Sequence, residues 1–250
     1  MNKTFPSIPP FWPELRLYAE IDSSNAELKR LEDRGEAAHG MVVSATHQYA
    51  GRGQMGSKWE GEPGLNLYLS ILLFPKIPIE LQFYWNKRLA CLVHQAISEF
   101  APELKIKWPN DLILNNKKIG GMLLENTLSG HELHRSIVGI GININQENFE
   151  GLAKASSLKN ELHSEFSPLE IRDVLLQTLS HGLGQELALA KLDEQYLAQV
   201  WKIGELTTFA ENNRFFNARV QSVNEMGQLV LETESGEKTY NLKEISWESW

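Results

Sequence analysis

The chain has 250 residues, which is enough for one large domain or for a domain with a small appendage. Apolar residues make up 42% of it and charged residues 22%, a balance typical of globular proteins rather than disordered ones. The formal net charge of −8 argues against a protein that binds nucleic acids or anionic membranes with its whole surface, although it permits a local basic pocket.

Cys91 is the single cysteine, so the chain can form neither an internal disulfide nor a cysteine-based zinc site. It lies in an apolar run with helical spacing and is interpreted as a small core residue. No cluster of histidine and cysteine indicates a transition metal, and no protein-bound metal is predicted. Apolar runs fall short of the ~18 residues of a membrane-spanning helix, and the N-terminus is too rich in proline for a signal peptide. A cytoplasmic location is expected.

The first half of the chain is predicted to contain both strands and helices. Asp22, Ser23 and Ser24 offer capping side chains to a helix that begins after them. Apolar spacing predicts, in chain order, a strand over 18–21, a helix over 25–34, strands over 41–47 and 66–74, and a long amphipathic helix over 83–100.

The second half of the chain begins with predicted strands and ends with short strands separated by glycine-containing turns. Asn115 and Asn116 predict a hairpin turn, because asparagine tolerates a positive φ. The pattern indicates strands over 105–108, 112–114, 118–126 and 136–143, helices over 168–189 and 193–201, and short strands with glycine-containing turns after 203. The predicted fold class is α+β: a mixed sheet flanked by helices over 1–202, then a small β-barrel over 203–250.

A glycine-rich loop near the first predicted strands has the composition of a ligand site. Gly51, Gly53 and Gly56 permit positive φ and close approach of a ligand to backbone N–H groups. Arg52 supplies donors suited to phosphate or carboxylate, with Lys58 and Trp59 completing the run. The loop matches neither a Walker A motif nor a dinucleotide-binding motif. A ligand loop is favoured over a merely flexible surface loop.

Three further motifs each admit a functional and a plain structural interpretation. In KIKWPND (105–111), Asn110 and Asp111 follow a proline turn and either face a pocket or cap the turn. In KKIGGMLLE (117–125), Lys118 before two glycines either faces an anion or is a solvated hairpin lysine. In GIGININ (139–145), the glycines allow close approach of a ligand or of another backbone.

The order of these motifs resembles that of the biotin–protein ligases. The matching segments are DSSN at 22–25, Gln48 with GRGQMGSKW at 51–59, GLNLYLS at 64–70, KWPNDL at 107–112, KKIGGMLLE at 117–125 and GIGININ at 139–145. The resemblance covers about 18–146 closely, and the last 48 residues fit the SH3-like C-terminal domain of that family. It implies a catalytic domain related in fold to class II synthetases and to lipoate ligases.

The resemblance also implies an activity in two steps. Biotin and ATP give biotinyl-5′-adenylate and pyrophosphate, and the adenylate then passes biotin to one lysine of a biotin carboxyl carrier protein, as in acetyl-CoA carboxylase or a similar carboxylase. Mg²⁺ is expected to arrive with ATP, because this ion keeps several waters and seldom needs a full protein cage.

Site residues follow by similarity. Lys118 and Arg52 are the predicted catalytic residues, with Lys118 near both the biotin carboxylate and the α-phosphate. The predicted biotin-binding residues are Ser23, Ser24, Asn25, Gln48, Gly51, Arg52, Lys118 and Gly121. The predicted nucleotide-binding residues are Arg52, Gln54, Trp59, Asn110, Asp111, Lys118 and Asn143, with Trp59 packed on the adenine. Residues 51–60 are predicted to be mobile when empty and to close over the intermediate.

The sequence departs from the family pattern in the glycine-rich loop. Gln54 and Met55 stand where family members often carry arginines, and Ser24 stands where threonine is common. About 17 residues precede the first matching strand, so the DNA-binding repressor role of some members is not expected. Both monomers and homodimers occur in the family. A lipoate–protein ligase and a non-catalytic biotin- or nucleotide-binding module remain as alternatives.

Overall fold

The computed structural model describes residues 3–11 and 13–248, which form one large sheet, a smaller C-terminal sheet and the helices around them. The helices are α1 (Ser24–Asp33), α2 (Gln82–Ser98), α3 (Leu158–Leu162), α4 (Pro168–Leu183) and α5 (Leu189–Gln199). The strands are β1 (Thr4–Phe5), β2 (Glu14–Ile21), β3 (Met41–Gln48), β4 (Gly51–Arg52), β5 (Lys58–Trp59), β6 (Asn66–Leu73), β7 (Ile77–Pro78), β8 (Lys105–Lys107), β9 (Asp111–Leu114), β10 (Lys117–Ser129), β11 (Glu132–Asn143), β12 (Leu187–Ala188), β13 (Leu206–Glu211), β14 (Arg214–Val223), β15 (Leu229–Thr233), β16 (Gly236–Tyr240) and β17 (Ser246–Trp247).

The large sheet is mixed, as the sequence predicted. Its order is β2-β3-β6-β11-β10-β9-β8, with β7 paired beside β11. Strands β2 and β3 run parallel, and the other neighbours run antiparallel. Asn115 and Asn116 adopt positive φ at the turn between β9 and β10, which confirms the predicted hairpin.

The two faces of this sheet are covered unequally. Helices α2, α4 and α5 pack over one face and form the main core, which includes Trp85 and Leu179. On the other face, α1 packs Leu28 and Leu31 against Leu72, Ile137 and their neighbours in β3. Helix α1 lies over β3, β6 and β11 and leaves the α1-side face of β10 and β9 to a cavity.

The alternation of side chains explains which residues face that cavity. Successive side chains of a strand point to opposite faces of the sheet. Because Ile137 lies on the α1 side, Gly139 and Gly141 lie on that side too. Gly121 is paired with Gly141, and Asp111 is paired with Gly121, so both share the same face. Three glycines and one aspartate therefore line the open half of the sheet.

The C-terminal sheet has five antiparallel strands in the order β16-β15-β14-β13-β17, consistent with the predicted SH3-like module. Its buried Phe209 and Trp247 join the same core cluster as Trp201. We propose that the domain boundary lies between residues 202 and 203, where the chain leaves α5 and enters this sheet.

The turn between β14 and β15 contacts the rest of the protein. The Trp108 indole Nε1 donates to the carbonyl of Gly227 at 3.0 Å, and the ring of Phe83 packs directly against Gly227. Lys87, which is buried, donates to the carbonyl of Val223 at 3.0 Å and pairs with Asp193 at 2.5 Å. The C-terminal sheet is thus held against α2 and against the turn that carries Asn110 and Asp111.

Gly227→Ala is expected to destabilise the protein more than Gly236→Ala does. Both glycines have positive φ, so both substitutions bear a backbone cost of about 1–2 kcal/mol. A Cβ at 227 would also overlap the Phe83 ring, whereas a Cβ at 236 meets nothing within 4 Å. The overlap should add roughly 1–3 kcal/mol to the loss in unfolding free energy measured in urea. Equal losses at the two positions would contradict this packing.

One predicted helix is interrupted. The helix predicted over 168–189 ends as α4 at Leu183, and Leu187–Ala188 pair with Thr4–Phe5 instead. This pairing joins segments far apart in the chain, so local periodicity did not contain it. Within the described residues, no helix combines the length and apolar character needed to cross a membrane.

Candidate active site

A cavity of about 210 Å³ lies between the N-terminus of α1, the glycine-rich loop and the open half of the large sheet. Among the residues predicted from the sequence, it is lined by Ser23, Ser24, Asn25, Gln48, Arg52, Gln54, Trp59, Asp111, Lys118 and Gly121. Gly139 and Gly141, which were not assigned roles, line it as well. Motifs separated by more than a hundred residues therefore meet in one place.

The α1 end of the cavity is a network of small polar groups. The backbone N–H of Ser24 donates to Gln48 Oε1 at 2.6 Å, and Ser70 Oγ lies 2.7 Å from Ser24 Oγ. Ser70 also donates to Asn25 Oδ1 at 2.5 Å, while Asn25 Nδ2 donates to Glu125 Oε2 at 2.7 Å. Ser23 precedes the helix without making a side-chain cap, which leaves its hydroxyl free of that bond.

An ion pair fixes the backbone segment that leads into α1. The guanidinium of Arg30 lies within 2.6–2.9 Å of both carboxylate oxygens of Asp22, and Asp22 also accepts from the N–H of Ser23 at 2.7 Å. Hydrogen bonding to Arg30, helped by that N–H, lowers the pKa of Asp22 to about 2 against the opposing effect of burial. Asp22 therefore stays ionised and holds Ser23 at the cavity.

The glycine loop, residues 51–60, folds as a small hairpin over the cavity. Gly51–Arg52 pair with Lys58–Trp59, and the N–H of Gly53 donates to the carbonyl of Ser57 at 2.7 Å. A Cβ at Gly51 would overlap the carbonyl of Trp59, so the hairpin requires glycine there. Gly51 itself faces an adjoining cleft beneath the loop, together with Glu125.

The indole of Trp59 lies flat enough on β11 that only glycine fits beneath it. A Cβ at Gly141 would come within 2.7 Å of the indole. The Lys118 Nζ lies 5.7 Å from the centre of the same ring, and Trp59 Nε1 is buried without a hydrogen-bond partner among the described residues. Trp59 thus closes one side of the cavity beside the lysine.

Lys118 and Asp111 form the charged centre of the cavity. Lys118 Nζ lies 2.6 Å from Asp111 Oδ1, and both side chains are partly exposed, at 31% and 24%. A Cβ at Gly121 would lie 3.0 Å from that carboxylate oxygen and 3.6 Å from the lysine nitrogen, so glycine leaves space beside both groups. The ammonium and the carboxylate therefore border a part of the sheet that carries no side chain, so a ligand can bind close to the backbone beside them.

Two predicted nucleotide residues lie outside this cavity. Asn110 is buried and donates through Nδ2 to the carbonyl of Met122 at 2.9 Å, so it ties its turn to β10. Asn143 is buried too and donates to the carbonyl of Ser156 at 2.9 Å. Asn143 nevertheless lines a neighbouring, largely apolar cavity of about 490 Å³.

The neighbouring cavity is built from a segment that the sequence motifs did not indicate. It is lined by Phe149, Leu152 and Ala155 together with Trp59 and Lys118. The backbone of Lys118 holds this segment, because its N–H donates to the carbonyl of Lys154 at 2.8 Å and its carbonyl accepts from Ser156 at 2.9 Å. Residues 149–155 carry no motif, and the only local signal was their position directly after GIGININ.

Comparison with known proteins identifies the family to which the chain belongs. The sequence profile of the biotin/lipoate A/B protein ligase family matches residues 18–143, which include every predicted site residue. The chain belongs to this family. A biotin–[acetyl-CoA-carboxylase] ligase of Paracoccus denitrificans is 28% identical to this ligase over 244 residues, covering 92% of this chain and 98% of that protein. A bifunctional ligase/repressor BirA of Bacillus spizizenii is 27% identical over 246 residues, covering 89% of this chain and 70% of that protein.

Solved structures place this ligase in the same fold. The biotin protein ligase of Aquifex aeolicus in complex with biotin and ATP is 26% identical to this chain and has a TM-score of 0.71. The match covers 93% of this chain and 97% of that one. A biotin protein ligase of Leishmania major in complex with biotinyl-5-AMP, at 22% identity and a TM-score of 0.62, shares the fold. These findings confirm the predicted family of biotin–protein ligases and the predicted fold class.

Proposed function

We propose that this ligase activates biotin with ATP as biotinyl-5′-adenylate and transfers the biotinyl group to a lysine of a biotin carboxyl carrier domain. The observation that carries the proposal is the position of the Lys118–Asp111 pair. It lies on the glycine-lined half of the sheet, between the polar α1 end of one cavity and the apolar neighbouring cavity. A carboxylic acid and a nucleotide can thus approach one ammonium group from two sides.

The polar α1 end suits the head of biotin. The ureido ring of biotin has N–H donors and a carbonyl acceptor, and small fixed hydroxyl and amide groups can satisfy both kinds. Ser23, Ser24, Asn25 and Gln48 supply them, and Ser70 and Glu125 hold Asn25 and Ser24 in place. Gly121 leaves the ligand room beside the backbone, and Gly51 is proposed to act through the hairpin of the glycine loop, which requires glycine at that position.

Lys118 and Arg52 are proposed to stabilise charge during adenylation. A biotin carboxylate oxygen attacks the α-phosphorus of ATP, so two anions must approach each other. Lys118 is held by Asp111 at the meeting point, and Arg52 lines the same cavity from the loop. Fixed positive charge at the reacting atoms lowers the barrier because no solvent reorganisation is required during the reaction.

The apolar neighbouring cavity is proposed to bind the adenosine. A flat purine is well served by Trp59, Phe149 and Leu152, and Asn143 lies at the wall as a polar group for the purine edge. Gln54 and Asp111 face the phosphates from the first cavity, and Asn110 acts on the nucleotide by fixing the turn that carries Asp111.

Mg²⁺ is proposed to enter with the phosphates of ATP. The carboxylate that lines the cavity, Asp111, already pairs with Lys118, so this donor set fits an ion held mainly by phosphate oxygens and water. The ion supplies neutralisation of phosphate charge. Asp111 is the residue available to contact it or one of its waters.

In the second step a lysine of the carrier attacks the adenylate carbonyl and AMP leaves. The proposed acceptor is the biotin carboxyl carrier domain of acetyl-CoA carboxylase or of a similar carboxylase, and the proposed location is the cytoplasm. The adenylate is a mixed anhydride that water destroys, so the glycine loop is proposed to close over it until the carrier arrives.

Loop closure should protect the glycine loop from trypsin. Arg52 and Lys58 are exposed and are the cleavable residues of the loop. Biotin with ATP is expected to slow cleavage after both residues by roughly tenfold, because closure reduces the population of the open form. Arg214, exposed at the first residue of β14 beside the turn at 212–213, is the internal control and should be cut at an unchanged rate. Equal cleavage of the loop with and without ligand would contradict closure.

The proposed function is tested by ATP–pyrophosphate exchange, run with biotin, with lipoate and with neither. Exchange that requires biotin supports the proposed adenylation. Exchange that requires lipoate would keep the fold and the adenylation chemistry but overturn the substrate. If neither acid supports exchange and no biotin is transferred when a carrier domain is added, the protein would be a non-catalytic binding module and the proposed enzymatic activity would be wrong.

A further inference from the structure

A chain of buried hydrogen bonds links Glu125 to the α1 end of the cavity. Glu125 Oε2 accepts from Asn25 Nδ2 at 2.7 Å, and Asn25 Oδ1 lies 2.5 Å from Ser70 Oγ. Ser70 Oγ lies in turn 2.7 Å from Ser24 Oγ. Asn25, Ser70 and Ser24 are each at most 5% exposed, so little water reaches these groups. The chain begins at the cleft beneath the glycine loop, which Glu125 lines, and ends at Ser24, which lines the cavity.

A glycine of β11 makes room for the amide in this chain. A Cβ at Gly139 would overlap Asn25 Oδ1, so the amide lies directly on the backbone of the strand. Any larger residue at this position would displace Asn25 from both Glu125 and Ser70. The first glycine of GIGININ thus admits a side chain of this protein, whereas Gly141 admits the indole of Trp59.

The chemistry of the groups fixes the direction of every hydrogen bond in the chain. An ionised carboxylate only accepts, so Asn25 presents its NH2 group to Glu125 and its oxygen to Ser70. An amide oxygen only accepts as well, so Ser70 donates its hydroxyl hydrogen to Asn25. Ser70 then accepts from Ser24, whose own hydrogen is used in that bond. The Ser24 hydroxyl is left with lone pairs alone for a ligand.

A donor lies beside that acceptor. Gln48 Oε1 accepts from the backbone N–H of Ser24 at 2.6 Å, so the Gln48 amide turns its NH2 group away from that N–H. Gln48 lines the cavity as Ser24 does. An acceptor next to a donor complements a group that offers an N–H next to a C=O, as the ureido ring of biotin does. The dithiolane ring of lipoate offers neither.

Resting on the proposed function, we propose that Glu125 is a positioning residue that sets the direction of this chain, so that Ser24 accepts a hydrogen bond from a ureido N–H of biotin and cannot donate one. Glu125 acts through Asn25 and Ser70 and not by contact with the substrate. The site therefore discriminates against a ring that presents an acceptor to Ser24, because two facing acceptors are both left without a hydrogen bond.

Glu125→Gln is expected to raise the KM for biotin in ATP–pyrophosphate exchange roughly tenfold and to leave kcat within about twofold. A glutamine here can donate to Asn25 as well as accept from it, so the chain can also run in reverse, with the hydrogen of Ser24 facing the ureido N–H. The ureido ring does not react, so the loss falls in binding. The matched control is Glu132→Gln in the same hairpin, since the Glu132 side chain is 43% exposed and lies 3.6 Å from His134. It should leave the KM unchanged.

A second substitution separates the direction of the chain from its mere integrity. In the double variant Asn25→Asp with Glu125→Gln, the aspartate only accepts, so the glutamine donates to one of its oxygens and Ser70 to the other. The original direction towards Ser24 is restored, and the number of carboxylates is unchanged. The KM for biotin should return to within about threefold of that of the unsubstituted protein. If Glu125 only braced Asn25, changing both residues would not recover binding.

Two biotin analogues give an independent readout. Each is a cyclic carbamate in which a ring oxygen replaces one ureido N–H, so it presents an acceptor where biotin presents a donor. For the analogue whose oxygen faces Ser24, the ratio of its KM to that of biotin should be roughly tenfold smaller in Glu125→Gln than in the unsubstituted protein. Ser70→Ala interrupts the same chain by a smaller change and should reduce the same ratio, which keeps the test available if Glu125→Gln does not fold.

Three outcomes would each overturn the role of Glu125 alone: an unchanged KM for biotin in Glu125→Gln, an increase that persists in the double variant, or an equal increase for biotin and both carbamates. Exchange that requires lipoate, or no exchange at all, in the unsubstituted protein would instead overturn the proposed function and this inference with it.

Discussion

Lys118→Ala is expected to lower biotin-dependent ATP–pyrophosphate exchange by about 10²–10³-fold while leaving the fold intact. The ammonium lies 2.6 Å from Asp111 and faces the glycine-lined half of the cavity, where the biotin carboxylate and the α-phosphate are proposed to meet. Alanine removes that charge and leaves Asp111 as a negative group that repels both substrates. The loss should appear in kcat, because the charge on the phosphate grows in the transition state.

Stability should change little in this variant. The pair is about a quarter to a third exposed, and ion pairs with that much access to solvent contribute at most about 1 kcal/mol. Lys117→Ala is the matched control, because Lys117 adjoins Lys118 in β10 but donates to the carbonyl of Ala153 at 2.6 Å. The exchange rate of Lys118→Arg should fall between those of the unsubstituted protein and Lys118→Ala, since arginine keeps the charge but its planar guanidinium does not fit the position of the ammonium group. Normal turnover of Lys118→Ala would contradict the assigned role.

Gln54→Arg is expected to slow release of biotinyl-5′-adenylate by about 10–100-fold, since a hydrogen bond to a charged group contributes roughly 1.5–3 kcal/mol. Gln54 lines the cavity from the short turn Gln54–Gly56 of the glycine loop and brings no charge to the phosphate. A guanidinium at this position would pair with the single negative charge of the adenylate. The release rate is measured by forming the adenylate on the protein and collecting it after dilution.

The sign of the added charge separates this effect from loop rigidity. Gln54→Glu should release the adenylate faster than the unsubstituted protein, giving the order arginine, glutamine, glutamate from slowest to fastest. Gln221→Arg adds the same charge to the exposed face of β14 and should leave release unchanged. Similar release rates for the arginine and glutamate variants would show that residue 54 does not act on the phosphate.

The sequence indicated the local parts of the site because each motif forms its structure from neighbours in the chain. The hairpin of the glycine loop needs Gly51 and Trp59, and the turn at Asn115–Asn116 needs two residues that tolerate positive φ. The order of motifs also identified the family, which the comparisons confirmed. Asn110 and Asn143 were assigned to the nucleotide by resemblance, yet their amides bond to the backbone of β10 and of residue 156.

The amino-acid sequence by itself determined most of the helices and strands, the glycine positions and the identity of Lys118 and Asp111 as candidates. Only the tertiary structure decided which residues meet: Asn25 with Glu125, Trp108 with Gly227, and Lys118 with residues 154–156. These contacts depend on strand order and register, since a shift of one residue would turn every side chain of a strand to the other face. Lys118 is the clearest case. The sequence shows it within KKIGGMLLE, but its position beside Asp111 and against residues 154–156 exists only once β9 and β10 are paired and the segment after β11 lies against them.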